Sequence, residues 1–276
     1  MFLSTVLFGQ KIQVVLDSLS TLDDNEFHLE LLSDVPKEKL ILPDVDSHNL
    51  KYFTLFYSWK TSNDQDISVL VDQQQDRDIL YVDKNNDENL TNDGIPIIFP
   101  LSKNIQYIDI NSESDPKQIV RLIIYRIPPI PDSLRPKYFD NLGNLNPAFA
   151  KYWGGLTGDF NFKGERRTFY CDDRVTLRRS KVELDGVKYD IGLFDYSNNG
   201  LYNDDDDLLL VDLNRDGKLK YMDQNEVFKL NDVFRAGKSN YELASVDKYG
   251  TEITLLKSEK KPTNYFLQYT QNQMVE

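Results

Sequence analysis

The chain is poor in the residues that redox, zinc and nucleophilic chemistry use most often. It contains one cysteine, Cys171, and two histidines, His28 and His48. A single cysteine excludes an internal disulfide, a Cys-x-x-Cys redox motif and a cysteine zinc cluster. The sequence has no His-Glu-x-x-His motif, no Gly-x-Ser-x-Gly elbow and no glycine-rich phosphate loop. These absences favour a non-enzymatic protein without deciding the question.

Positive charge is also scarce. Lys and Arg number 32 against 45 Asp and Glu, which gives a formal net charge of −13. This balance argues against nucleic acid and anionic membrane surfaces as partners, because both are themselves negative. No apolar stretch approaches the roughly 20 residues of a transmembrane helix, and we therefore expect no transmembrane segment. The composition suits a protein that attracts divalent cations.

Most of the chain consists of short β-type runs. There are 16 Tyr and 15 Phe, and the apolar runs are bounded by Asp, Asn, Ser and Pro, which is typical of strands. We predict a mainly β fold with two tandem antiparallel β-sandwich or barrel-like modules that carry acidic cation-binding loops. The expected boundaries are a first β module at 10–127, a Pro/Gly/Asn-rich linker at 128–155, a second β module at 156–258 and a polar tail at 259–276.

The two predicted modules resemble each other, which suggests an internal duplication. Each has two strand-like runs, then an acidic loop, then a hairpin-like segment. The matching segments are 69–72, 79–83, 83–93 and 107–125 in the first copy, and 182–185, 191–195, 195–205 and 241–257 in the second. The spacing is longer in the second copy, and we infer an insertion there that contains a further acidic loop.

The first nine residues, MFLSTVLFG, are apolar and end in a small residue before Gln10 and Lys11. They resemble the end of a secretory signal peptide that lacks its basic start. A truncated signal peptide at 1–9 predicts a periplasmic or extracellular protein. The alternative is a buried first strand that continues into 12–16.

The most complete motif lies at 212–223, DLNRDGKLKYMD. Oxygen-bearing side chains stand at positions 1, 3 and 5, glycine allows the bend at position 6, and position 12 is acidic, as in an EF-hand calcium loop. Position 7 contributes its backbone carbonyl. The expected ligands are Asp212, Asn214, Asp216, Lys218 through its carbonyl, and Asp223.

Two other loops follow this spacing less completely. The loop at 195–206 ends within four adjacent aspartates, which repel one another unless a cation lies among them. The loop at 83–93 lacks the glycine and closes one residue early. Both can also be plain Asx turns, in which Asn and Asp side chains bond their own backbone. The expected ligands are Asp195, Ser197, Asn199, Leu201 and Asp206 in the former, and Asp83, Asn85, Asp87, Asn89 and Asp93 in the latter.

The run DIGLFDYSNNGLYNDDDDLLLVDLNRDGKL at 190–219 resembles a recurring segment of exported β-module proteins from Bacteroidetes-type bacteria. The loop at 212–223 is also similar to the calcium loops of dockerin and EF-hand proteins, although no helix pair flanks it. The resemblance implies Ca²⁺ as the cation and the same five residues as its ligands. Some of those exported proteins carry a thioredoxin-like domain, and the resemblance does not extend to that activity.

These features favour a non-enzymatic, calcium-binding β-rich protein of the cell envelope or exterior. One to three Ca²⁺ ions are expected to rigidify loops of a binding or assembly module, whose protein or glycan partner the sequence does not identify. One alternative is a hydrolase, such as a carbohydrate-active enzyme, with structural calcium and an aromatic strip at 52–59 along its groove. The other is an interaction module from a larger thioredoxin-like system.

Overall fold

A computed structural model describes residues 11–16, 18–24, 28–30, 32–36, 39–45, 49–56, 66–112, 115–127 and 169–263. These residues are mainly β and their strands pair into four antiparallel sheets, which confirms the predicted fold class. None of them forms a helix with the length and apolar character that a membrane crossing requires. The predictions for 1–9, for the linker at 128–155 and for most of the tail lie outside the described residues.

The strands follow one another with short turns and acidic loops between them. In chain order they are β1 (Lys11–Val15), β2 (Ser18–Ser20), β3 (His28–Glu30), β4 (Leu50–Phe56), β5 (Asp66–Gln73), β6 (Arg77–Val82), β7 (Ile97–Pro100), β8 (Ile105–Asn111), β9 (Ile119–Ile127), β10 (Phe169–Arg174), β11 (Leu177–Leu184), β12 (Val187–Phe194), β13 (Leu208–Val211), β14 (Val227–Lys229), β15 (Val233–Ala236), β16 (Ser239–Val246) and β17 (Glu252–Ser258).

Strands β3 to β10, which we call the first body, form two four-stranded sheets that pack face to face. Their strand orders are β4-β5-β6-β7 and β3-β10-β9-β8. Successive side chains of a strand point to opposite faces, and the inward positions are apolar. Val71 and Leu80 from one sheet share a buried cluster with Ile108 and Leu122 from the other. The two sheets therefore form a sandwich around one core.

A buried arginine closes one end of this core. Arg126 on β9 donates from Nη2 to Asp78 Oδ2 at 2.7 Å and to the Phe99 carbonyl at 2.9 Å. Its Nη1 donates to the carbonyls of Pro100 and Lys103, and the guanidinium lies 3.7 Å from the centre of the Phe99 ring. The charge is thus paired and hydrogen-bonded where water does not reach it.

The second body consists of β1, β2 and β11 to β17. Its sheets have the orders β14-β13-β12-β11-β2 and β1-β17-β16-β15. Leu184 and Ile191 of the five-stranded sheet pack with Phe234 and Leu255 of the other. Strand β13 is a continuous apolar run that is buried throughout, because its outward side chains lie beneath an acidic loop in a second, smaller cluster.

The strand pairing differs from the boundaries predicted by sequence at two points. Strand β1 pairs with β17, and β2 pairs with β11, so residues 11–20 belong to the second body. Strand β10, from the range expected for the second module, pairs with β3 and β9 in the first body. The physical reason is that a local sequence pattern specifies a hairpin, whereas the pairing of strands that are distant in sequence leaves no such pattern.

Both bodies use the same succession of hairpins. The β5–β6 and β8–β9 hairpins of the first occupy separate sheets, as do β11–β12 and β16–β17 of the second. Strand β10 flanks β9 as β1 flanks β17. Residues 101–104 connect β7 to β8, whereas residues 212–238 connect β13 to β16 and include an acidic loop, β14 and β15. The duplication itself stays a prediction.

Candidate cation-binding loops

Three acidic loops share one local architecture: loop 1 (83–93), loop 2 (195–207) and loop 3 (212–226). Each begins at a buried aspartate that directly follows a strand, namely Asp83, Asp195 or Asp212. One carboxylate oxygen accepts a hydrogen bond from the N–H four residues on, and the other accepts from the N–H five residues on. These paired bonds fold the backbone of each loop around its first side chain.

The same two positions in every loop take left-handed backbone angles. The fourth residues are Asn86, Asn198 and Arg215, with φ of 55°, 53° and 62°, and the sixth are Glu88, Gly200 and Gly217, with φ of 62°, 79° and 78°. Glycine adopts this conformation without strain and asparagine tolerates it. The glycines that the sequence analysis placed at the bend are therefore explained by backbone geometry.

The eighth residue of each loop is an apolar anchor. Leu90, Tyr202 and Leu219 are all buried. Each anchor is also joined to a distant segment by a backbone hydrogen bond: Leu90 N–H to the Ile41 carbonyl, Tyr202 N–H to the Lys248 carbonyl, and Asp23 N–H to the Leu219 carbonyl. The sequence analysis missed these anchors, although an apolar residue two positions after the bend recurs in all three loops.

Loop 2 contains the densest group of carboxylates among the described residues. Oxygens of Asp204, Asp206 and Asp207 lie within 4.8 Å of one another, and the group could hold a metal ion. Asp207 is fully buried, with Oδ1 accepting from Tyr196 N–H at 3.1 Å and Oδ2 accepting from Asp204 N–H at 2.7 Å. Of these three aspartates the sequence analysis named only Asp206, because the EF-hand spacing gave position 12 the closing role.

The other expected side-chain ligands of loop 2 connect to this group. Ser197 Oγ donates to Asp195 Oδ1 at 3.1 Å. Asn199 Nδ2 donates to Asp204 Oδ2 at 2.7 Å, and Asn199 Oδ1 accepts from Leu201 N–H at 2.8 Å. Loop 2 therefore gathers oxygens from both of its ends.

The electrostatics of loop 2 disfavour its own negative charge. Burial raises the pKa of Asp195 to about 6. Burial, together with the charges of Asp195 and Asp204, raises the pKa of Asp207 to about 8. Among the described residues, their hydrogen-bond donors are backbone N–H groups and the Ser197 hydroxyl, and no ion pair reaches either carboxylate. A bound cation would supply the missing positive charge.

Loop 2 also lies at the junction of the two bodies. Gln118 Nε2, in the turn between β8 and β9, donates to the Asn199 carbonyl at 2.7 Å. In the same turn, Asp115 Oδ2 accepts from Lys248 Nζ at 2.9 Å and from the Tyr249 hydroxyl at 2.7 Å. These two donors lower the pKa of Asp115 to about 2. The conformation of loop 2 thus bears directly on how the two sandwiches meet.

Loop 3 presents its first three expected ligands along one turn. Asp216 N–H donates to Asn214 Oδ1 at 2.8 Å, and Lys218 N–H donates to Asp216 Oδ1 at 2.9 Å. Lys220 Nζ lies 2.7 Å from Asp216 Oδ2 and lowers the pKa of that carboxyl. Asp223 Oδ1 instead accepts from the N–H of Asn225, at 3.2 Å, outside this turn.

Loop 1 joins its expected ligands in a network of short-range hydrogen bonds. Asp93 Oδ1 accepts from Lys84 N–H at 2.7 Å and from Asn85 N–H at 3.3 Å, so it spans the two ends of the loop. Asp87 Oδ2 accepts from Asn85 Nδ2, and Asp87 Oδ1 accepts from Asn89 N–H at 2.9 Å. The bonds from Asp87 N–H to Asn85 Oδ1, from Asn89 N–H to Asp87 Oδ1 and from Thr91 N–H to Asn89 Oδ1 are those of Asx turns, which the sequence analysis gave as the alternative for this loop.

Two of the other residues considered from sequence lie on strands of the first body. His28 and Cys171 lie on paired strands, β3 and β10. Within the aromatic strip at 52–59, Tyr52 and Phe53 are buried, and an aromatic side chain in a core does not line an open groove. His48 and residues 57–59 lie outside the described residues.

A scan against protein-family models, a search of curated proteins and a search of solved structures each found no match. The resemblance to exported β-module proteins and to EF-hand loops therefore stays a prediction from sequence. The function of this chain must be argued from the geometry of its own loops.

Proposed function

We propose that this chain is a non-enzymatic, calcium-binding protein of the cell envelope or exterior. In this proposal a divalent cation held by loop 2 stiffens a binding or assembly module. The observation that carries the proposal is the convergence of Asp204, Asp206 and Asp207 within 4.8 Å, beside the buried carboxylate of Asp195. Packing such carboxylates together without a cation is unfavourable.

The donor set favours calcium over the softer metals. The side chains that loop 2 offers are carboxylates, an amide and a hydroxyl, all of them oxygen donors. Ca²⁺ takes six to eight oxygens in flexible geometry, whereas zinc and copper sites use His and Cys. Extracellular calcium sites work with dissociation constants of about 10⁻⁴–10⁻³ M. A loop of this composition would therefore be occupied outside the cell.

The place of loop 2 suggests what a cation would do. The Asn199 carbonyl is bonded to Gln118 of the first body, and Tyr202 is bonded to the backbone of Lys248. A cation that fixes loop 2 would fix these contacts with it. The two sandwiches would then present one rigid surface to a protein or glycan partner.

Calorimetric titration of the EDTA-treated protein with Ca²⁺, paired with thermal melts, tests the proposal. We expect measurable binding and a higher melting temperature, because a ligand that binds only the folded state stabilises it by about 2.7 kcal/mol at one hundred times its dissociation constant. Asp207→Asn should lose one bound cation. Asp232→Asn is the matched control, because Asp232 also accepts from a backbone N–H, that of Lys229, and belongs to no such carboxylate group among the described residues.

The proposal fails if the wild-type protein gives no binding heat and an unchanged melt in millimolar Ca²⁺. It also fails if the Asp207 and Asp232 variants bind the same number of cations. In either case the acidic residues of loop 2 would be an ordinary polar turn.

A further inference from the structure

Glu226 is a buried carboxylate that reaches back into loop 3. It lies just before β14 and is 2% exposed. Its Oε1 accepts from Asn214 N–H at 2.7 Å, which ties the end of the loop to its start. Its Oε2 is buried and accepts no hydrogen bond from the described residues. Burying a carboxylate oxygen without a partner is costly.

The surroundings of Glu226 are negative. Burial raises the pKa of Glu226, and the charges of Asp223, Asp212 and Asp216 raise it further. The bond from Asn214 N–H to Oε1 places this carboxylate at the start of loop 3. The buried Oε2, which accepts no hydrogen bond from the described residues, is therefore available to a cation bound within the loop.

Asp223, the closing ligand expected from the spacing, is placed differently. Its Oδ1 accepts from Asn225 N–H, and the residue lines an open surface depression together with Asp24 and Met222. A glutamate is one methylene longer than an aspartate. Glu226 lies three residues further along the chain, and its bond to Asn214 N–H shows that it reaches the loop.

We propose that Glu226 closes a second divalent-cation site in loop 3, separate from loop 2, with Asp212, Asn214 and Asp216 as its other side-chain ligands. The inference rests on the proposed cation binding by these loops, but it involves no residue of loop 2. Asp216 Oδ2 is bonded to Lys220, and that half-exposed lysine must turn to solvent when the cation enters. Glutamate supplies the bidentate closing ligand in EF-hand-type loops.

Calorimetric titration with Ca²⁺ alone tests the site, with Glu226→Gln as the variant and Asp223→Asn as its matched control. Both changes remove one negative charge and keep the shape of the side chain. We expect the Glu226 variant to bind one cation fewer than the wild type, with loop 2 still occupied. The Asp223 variant should bind the wild-type number.

Thermal melts separate a ligand from a purely structural residue. Without calcium, Glu226→Gln should melt at a higher temperature than the wild type, because it removes an unpaired buried charge. Adding calcium should raise the melting temperature of this variant by less than that of the wild type. Asp216→Ala, at an exposed position of the loop, tests the same site independently and should remove the same cation.

Equal cation numbers for the wild type and for both the Glu226 and Asp216 variants would overturn this site and leave the proposal for loop 2 standing. Loss of the cation in the Asp223 variant but not in the Glu226 variant would also overturn it. Absence of any binding to the wild type would instead refute the proposed function itself.

Discussion

Replacing Gly200 by alanine should destabilise the protein far more than the same change at Gly217. Both glycines are the sixth residue of their loop, with φ of 79° and 78°. A Cβ on Gly200 would lie 2.9 Å from the carbonyl oxygen of Ile119 and 3.0 Å from its carbonyl carbon, whereas a Cβ on Gly217 meets nothing within 4 Å. Comparing the two substitutions therefore separates the free-energy cost of the left-handed backbone from the free-energy cost of the contact between the two bodies.

The expected magnitudes follow from these two terms. An L-residue in the left-handed region costs about 1–2 kcal/mol, which is the whole effect expected on the free energy of unfolding for Gly217→Ala. At Gly200 the new methyl group presses on the main chain of β9, which is held by β8 and cannot rotate away. Overpacking of this kind adds about 1–3 kcal/mol. We thus expect Gly200→Ala to lose about 2–5 kcal/mol in total.

Urea denaturation followed by circular dichroism measures both losses in one experiment. The midpoint should shift further for Gly200→Ala, with the denaturant slope compared between the two variants to check that they unfold alike. If both variants lose the same free energy of unfolding, loop 2 does not pack against β9. The coupling of loop 2 to the junction between the bodies would then be refuted.

Two further predictions concern buried charge. Arg126→Ala should lower the free energy of unfolding by about 3–5 kcal/mol, because it removes the cation that is paired with buried Asp78. Arg121→Ala, which breaks an exposed pair on the same strand, should cost about 0–1 kcal/mol. Similar losses for the two variants in urea denaturation would contradict the buried pairing. In calcium-free protein, the raised pKa values of Asp195 and Asp207, about 6 and about 8, mean that the folded state holds protons which the unfolded chain has released above about pH 4. The melting temperature in scanning calorimetry should therefore fall as pH rises from about 4 to 8, and calcium should make that fall smaller. A melting temperature that rises with pH across this window without calcium would contradict the raised pKa values.

Local sequence patterns predict much of the fold. The sequence predicts a strand-like run at 79–83, and the structure has β6 there with Leu80 and Val82 in the core. Acidic residues between the runs predicted loops, and all three loops lie between strands. These features depend on neighbours in sequence, which is why one sequence was enough to find them.

The remaining features depend on contacts between distant residues. No pattern in KIQVV reveals that β1 pairs with β17 rather than with a neighbour. Fixed EF-hand spacing selected Asp223 and Asp206, whereas the structure brings the side chains of Glu226 and Asp207 to the beginnings of their loops. The length of chain that closes a loop is set by where the next strand begins, and spacing alone does not give that length.

The placement of β1 and β2 has a consequence for how the protein is made. Synthesis from the N-terminus delivers residues 11–20 before their partners, which are the start of β11 and residues 252–256 of β17. The first body can assemble once residue 174 has emerged, because all its strands precede that point. Strand β1 must wait for β17 with its edge unpaired, and unpaired edges invite pairing with other chains. Strand β1 is therefore made before the other described strands but is among the last of them to pair.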